Sequence, residues 1–98
     1  MLIVREVFTT KPGMAGKLSK MFRASMAGKG NVRVLTDLVG DYNTVVMEMQ
    51  VENLAEWEQL MADYRSGKVA MESGMEEEWK SFNEKWLTGR REIWQVVE

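Results

Sequence analysis

The sequence predicts a small α+β domain in which four strands and a split second helix follow the order strand, helix, strand, strand, helix pair, strand. Three observations carry this prediction. Short runs rich in β-branched and aromatic residues open and close the chain, two more lie back to back around Gly40-Asp41, and helical apolar spacing fills both long intervals between strands.

Leu2 to Thr10 reads as the first strand, and Lys11-Pro12-Gly13 ends it. Met14, Leu18, Met21, Phe22 and Ser25/Met26 then form a helical stripe that stops at Ala27-Gly28-Lys29-Gly30. Asn31 to Val39 and Tyr42 to Glu52 are the second and third strands, and the two-residue loop between them suggests a tight hairpin. If Val39 faces Tyr42, then Arg33 faces Glu48, Leu35 faces Val46 and Asp37 faces Thr44 on one side of the sheet. The other side carries Val32, Val34, Leu38, Val45, Met47, Met49 and Val51, almost wholly apolar and suited to packing under helices.

Asn53-Leu-Ala-Glu56 has the form of a capping box, and Leu54, Trp57, Leu60, Met61 and Tyr64 follow at helical spacing to an end near Ser66-Gly67. Residues 68 to 72 are either a turn of helix or a loop. Ser73-Gly-Met-Glu76 signals another helix, whose stripe of Met75, Trp79, Phe82 and Trp86 runs to Gly89. Arg90 to Val97 is the fourth strand. This βαββαβ order is that of the ferredoxin-like split βαβ motif, one domain over 1–98 with an antiparallel sheet of order 4-1-3-2 and helices on one face.

At 98 residues and 45% hydrophobic, the chain fits a single domain small enough to profit from a partner subunit. Its net charge of −2 is spread without a basic face, which argues against nucleic-acid binding. The third-strand stretch DYNTVVMEMQ also lacks the stacking aromatics of an RNA-recognition motif. With neither cysteine nor histidine, the chain has no thiolate nucleophile, no Ser-His-Asp arrangement and no His-ligated haem. No cofactor, metal or membrane contact is implied, and a cytoplasmic location is the expectation.

VREVFTTKPGMAGKL, DLVGDYNTVVMEMQVENLAEWE and WLTGRREIWQVV, taken in this order, resemble the dimeric α/β-barrel superfamily. Within it the chain looks most like the small NIPSNAP-like and antibiotic-biosynthesis-monooxygenase-like members. The resemblance implies a homodimer whose two sheets join through their open faces, with a ligand pocket between sheet and helices in each subunit. It also implies a range of activities that includes cofactor-independent monooxygenases. The haem-degrading branch relies on a histidine, which this chain lacks.

The candidate ligand-binding residues are Arg5, Asn43, Trp57, Tyr64, Trp79 and Arg91; no residue is assigned a catalytic role. The aromatic set is either a pocket over the sheet or the core-facing stripe that helix packing alone demands. Asn43 is the odd polar residue of the apolar face, placed either to orient a ligand oxygen or to meet solvent at the rim. Glu76-Glu77-Glu78 point in three directions and suit the first turn of a helix better than a metal site. A buried network of Glu6, Arg33, Glu48 and Glu92 inside the dimer barrel is open to the same strands, and there these groups need pairing or water.

VREVF at 4–8 and RREIW at 90–94 leave two registers open for the outer strands. In one, Arg5 opposes Glu92 and Glu6 opposes Arg91 as a cross-strand lock. In the other, Arg5 and Arg91 share the helix face, where an anionic ligand group is their natural partner.

The expected function is binding of a small, largely apolar molecule, anionic aromatic or polyketide-like, with metal-free oxidation as its catalytic form. The alternatives are a structural or interaction dimer with a filled core and, behind it, an ACT-like small-molecule-sensing module. A void of about 300 Å³ or more beside Asn43 and Trp79 favours binding, and a packed interior favours the structural dimer.

Overall fold

The computed structural model describes residues 1–25, 31–66 and 80–98. Strand β1 (Leu2–Thr10) leads to helix α1 (Ala15–Ser25), the β2 (Val32–Thr36) and β3 (Thr44–Val51) pair, helix α2 (Leu54–Arg65), a 3₁₀ turn at Phe82–Glu84 and strand β4 (Trp86–Gln95). All pairings are antiparallel and the sheet order is β2-β3-β1-β4, as the βαββαβ reading expects.

The hairpin keeps the expected register, with Arg33 opposite Glu48 and Leu35 opposite Val46, but its turn is not the two-residue loop. Pairing stops at Thr36, and residues 37–43 form a wider loop in which Tyr42 and Asn43 take left-handed φ values of 66° and 56°. Asp37 explains why the register survives: its N–H donates to the Thr44 carbonyl at 3.4 Å and its Oδ1 accepts from the Thr44 N–H at 3.0 Å, so a side chain stands in for half of the next rung and Asp37 still faces Thr44. Leu38, Val39 and Tyr42 are exposed on this loop instead of packing on either face of the sheet.

Side-chain alternation divides the sheet. Leu2, Val4, Glu6 and Phe8 of β1 share one face with Val45, Met47, Met49 and Val51 of β3, since these residues are paired across the two strands. Helix α1 covers one end of this face with Leu18, Met21 and Phe22, packed against Val45 and bordered by Phe8. Helix α2 covers the other end with Trp57, packed against Val4, Met49 and Val51. The core thus has two clusters on one face.

The capping box of α2 forms with a small displacement. Asn53 Oδ1 accepts from the Glu56 N–H at 2.9 Å, whereas the Glu56 carboxylate reaches the Glu52 N–H at 2.6 Å, one residue outside the cap. Leu54, counted in the apolar stripe, is exposed, so the buried stripe begins at Trp57.

The expected helix through Gly89 is corrected at its C-terminal end, and the segment at 67–79, including the start of that helix and the 68–72 connection, lies outside the described residues. Phe82 belongs to a 3₁₀ turn and Trp86 begins β4 four residues earlier than expected. Their apolar spacing arises because both pack on Phe8, at ring-centroid distances of 5.8 and 5.4 Å. A register shift between Thr9 and Thr10 brings Trp86 opposite Thr10. Among the described residues, no helix is long and apolar enough to cross a membrane.

Candidate functional site: a cleft around Glu6 and Arg91

Glu6 sits at the middle of the β1 helix face, between Val4 of one core cluster and Phe8 of the other. A carboxylate at such a position needs a partner, because unpaired burial costs several kcal/mol. Arg91 supplies it from directly across β4, with Nε donating to Glu6 Oε1 at 2.5 Å. The Glu6 side chain is 14% exposed and that of Arg91 50%, so the pair runs from the interior to the rim. The Arg91 guanidinium also lies 4.9 Å from the Trp57 ring centroid, close enough for a cation–π contact.

Neither core cluster fills the space over this pair, and a cleft of about 260 Å³ remains. Phe8, Phe22, Met47 and Phe82 wall it on the α1 side. Met49, Trp57, Met61 and Tyr64 wall it on the α2 side. The methionines give an adaptable apolar lining. Burial raises the Tyr64 phenol above its ordinary pKa, so it presents a neutral O–H. The charged groups among the described lining residues are Glu6 and Arg91 alone.

Three of the six candidate residues meet here: Trp57, Tyr64 and Arg91. Arg5 does not, because the outer strands adopt the lock register, with Arg5 opposite Glu92 and Glu6 opposite Arg91. Alternation then sends Arg5 to the open face and excludes the paired-arginine site. Asn43 is also elsewhere. Its left-handed backbone lies in the 37–43 loop, and its carbonyl accepts from the Thr10 N–H at 2.7 Å, a structural role that suits an asparagine at positive φ. Trp79 falls outside the described residues. The cleft therefore lies beside Trp57 and Arg91 instead of Asn43, and is slightly smaller than the expected void.

The expected charged network is likewise divided between faces. Arg33 reaches Glu48 at 2.7 Å, Arg5 lies 3.5 Å from Glu48 and 3.7 Å from Glu92, and Arg90 reaches Glu92 at 2.9 Å. These groups form a charge ladder across the open face. Hydrogen bonds from Arg90 and then from the Trp94 indole hold the Glu92 carboxyl below its ordinary pKa. Glu6 is not part of this ladder, because it shares the helix face with Val4 and Phe8.

No protein-family model matches the chain, and no curated protein matches it. Solved structures do. An uncharacterised NIPSNAP-like domain protein from Burkholderia xenovorans superposes with a TM-score of 0.71 at 16% identity, over 98% of this chain and 84% of that one. A NIPSNAP family protein from Agrobacterium tumefaciens gives 0.69 at 15% identity, over 100% and 95%. The chain has the NIPSNAP-like fold. A second NIPSNAP domain protein from Burkholderia xenovorans agrees, with a TM-score of 0.64 at 15% identity over 99% and 95%. In this chain, the NIPSNAP-like sheet carries its cleft beside Glu6 and Arg91, walled by residues of both α1 and α2.

Proposed function

We propose that the protein is a homodimer that binds a small, largely apolar molecule in the cleft between sheet and helices. The observation that carries this reading is the cleft itself: an apolar space of about 260 Å³ crossed by one ion pair and edged by one neutral phenol. An apolar cavity with a few convergent polar groups is the usual form of a small-molecule site.

Dimerisation through the open face completes the reading. That face presents Leu35 and Trp94 to solvent. Pairing with a second copy about a two-fold axis would cover this surface. The catalytic form of the reading is metal-free oxidation of an electron-rich aromatic molecule, for which Glu6 is the carboxylate available in the cleft. Oxygen uptake with bound phenols or anthrones tests that form, and its absence with every bound compound would remove it.

Native mass spectrometry of protein purified from its host tests the binding reading. The expected result is a dimer carrying one small molecule per subunit. A bare monomer would contradict both halves of the proposal.

A further inference from the structure

We infer that the cleft selects neutral aromatic molecules of one or two rings bearing a hydroxyl group, and discriminates against both their carboxylate and their ammonium analogues. This inference rests on the binding reading and adds the charge and size of the ligand.

Charge follows from the ion pair. The Arg91 cation is matched by Glu6 and held over the Trp57 ring, so an entering carboxylate finds no unneutralised cation among the described residues of the cleft. It would instead leave water for an apolar space in which a carboxylate is already present, and both desolvation and like-charge repulsion oppose that step. An ammonium group meets the corresponding difficulty, because Glu6 is already engaged by Arg91.

The hydrogen-bonding groups favour a hydroxyl. Arg91 uses Nε for Glu6, and a guanidinium has five N–H donors, so its terminal nitrogens remain able to donate to a ligand oxygen. Glu6 bonds Arg91 through Oε1, and its second oxygen has no hydrogen bond among the described residues. Tyr64, kept neutral by burial, supplies an O–H at the α2 wall. A hydroxyl both donates and accepts, and so complements a carboxylate oxygen beside guanidinium donors. Size follows from volume: an apolar cavity of about 150 Å³ takes up benzene, whereas this cleft offers about 260 Å³, room for one further ring.

Calorimetric titration of the full chain at about pH 7 with 2-naphthol, 2-naphthoate and 2-naphthylmethylamine tests the inference, since these probes are respectively neutral, anionic and cationic there. 2-Naphthol is expected to bind at least about tenfold more tightly than either charged probe. Glu6→Gln, which removes the countercharge at nearly constant shape, should raise naphthoate affinity by about tenfold by freeing the Arg91 cation. Naphthoate or the amine binding the unaltered protein as well as naphthol does would overturn the charge selection while leaving the binding reading intact. Failure of all three probes would overturn the reading and the inference together. If Glu6→Gln folds and naphthoate gains nothing, Glu6 is not the source of selection; if the variant does not fold, the three-probe comparison on the unaltered protein decides.

Discussion

Glu6 occupies the position in the molecule that most needs explaining. It interrupts the sequence Leu2, Val4, Glu6, Phe8 on a face that otherwise makes the core, and a carboxylate there is tolerable because Arg91 meets it across the strand. This feature was legible in principle. Val4 and Phe8 share parity with Glu6, so assigning either of them to the core assigns Glu6 to the helix face as well. Comparing VREVF with RREIW instead emphasises the pairing between strands and hides which side each pair faces. Tyr64 was legible from helical spacing, but its neutrality comes from burial and yields a pH prediction. A phenol whose folded pKa is raised contributes stability that is intact below the unfolded value of about 10 and lost as pH rises through the folded value. In urea titrations across that alkaline range, the unaltered protein should therefore lose more stability than Tyr64→Phe. Equal losses would show that burial does not act on this phenol.

Elements were legible to different degrees, for physical reasons. Strand β1, helix α1 and helix α2 each combine a regular apolar period with a clear stop or cap, so local and tertiary preferences agree. The C-terminal segment misleads because Phe82 and Trp86 are spaced like helical residues yet reach one aromatic cluster from a 3₁₀ turn and a strand start. Gly89 has the look of a helix stop but lies within β4 opposite Phe8, where a Cβ would stand 3.0 Å from that ring. Gly89→Ala therefore requires Phe8 to give by a few tenths of an ångström against Phe22 and Trp86, and with the ring held by both the expected cost is about 1–3 kcal/mol. Chemical denaturation measures this directly, and an unchanged midpoint would show that the cluster yields freely. The 37–43 loop departs from expectation for a different reason: Gly40-Asp41 has hairpin composition, but the Asp37 side chain takes the Thr44 N–H and regular pairing ends there.

At the scale of the molecule, sheet order and helix placement followed from the order of the elements, while the site did not. A cleft depends on what two helices leave uncovered, and neither apolar period nor capping specifies that space. We expect Trp94→Glu to shift the proposed dimer towards monomer in sedimentation velocity, because it places a charge on the open face beside the Arg5–Glu92 contact. Unchanged sedimentation would move the interface elsewhere.

Everything proposed for this protein depends on a small molecule occupying the cleft between the two core clusters. Methyl NMR of the methionines tests it most directly, because Met47, Met49 and Met61 line the cleft, whereas Met21 is buried in the α1 cluster and Met1 is exposed. On titration with 2-naphthol, the methyl signals of Met47, Met49 and Met61 are expected to shift together and saturate, with Met1 and Met21 little changed. Movement confined to Met1, or no movement at the three cleft methionines, would contradict it.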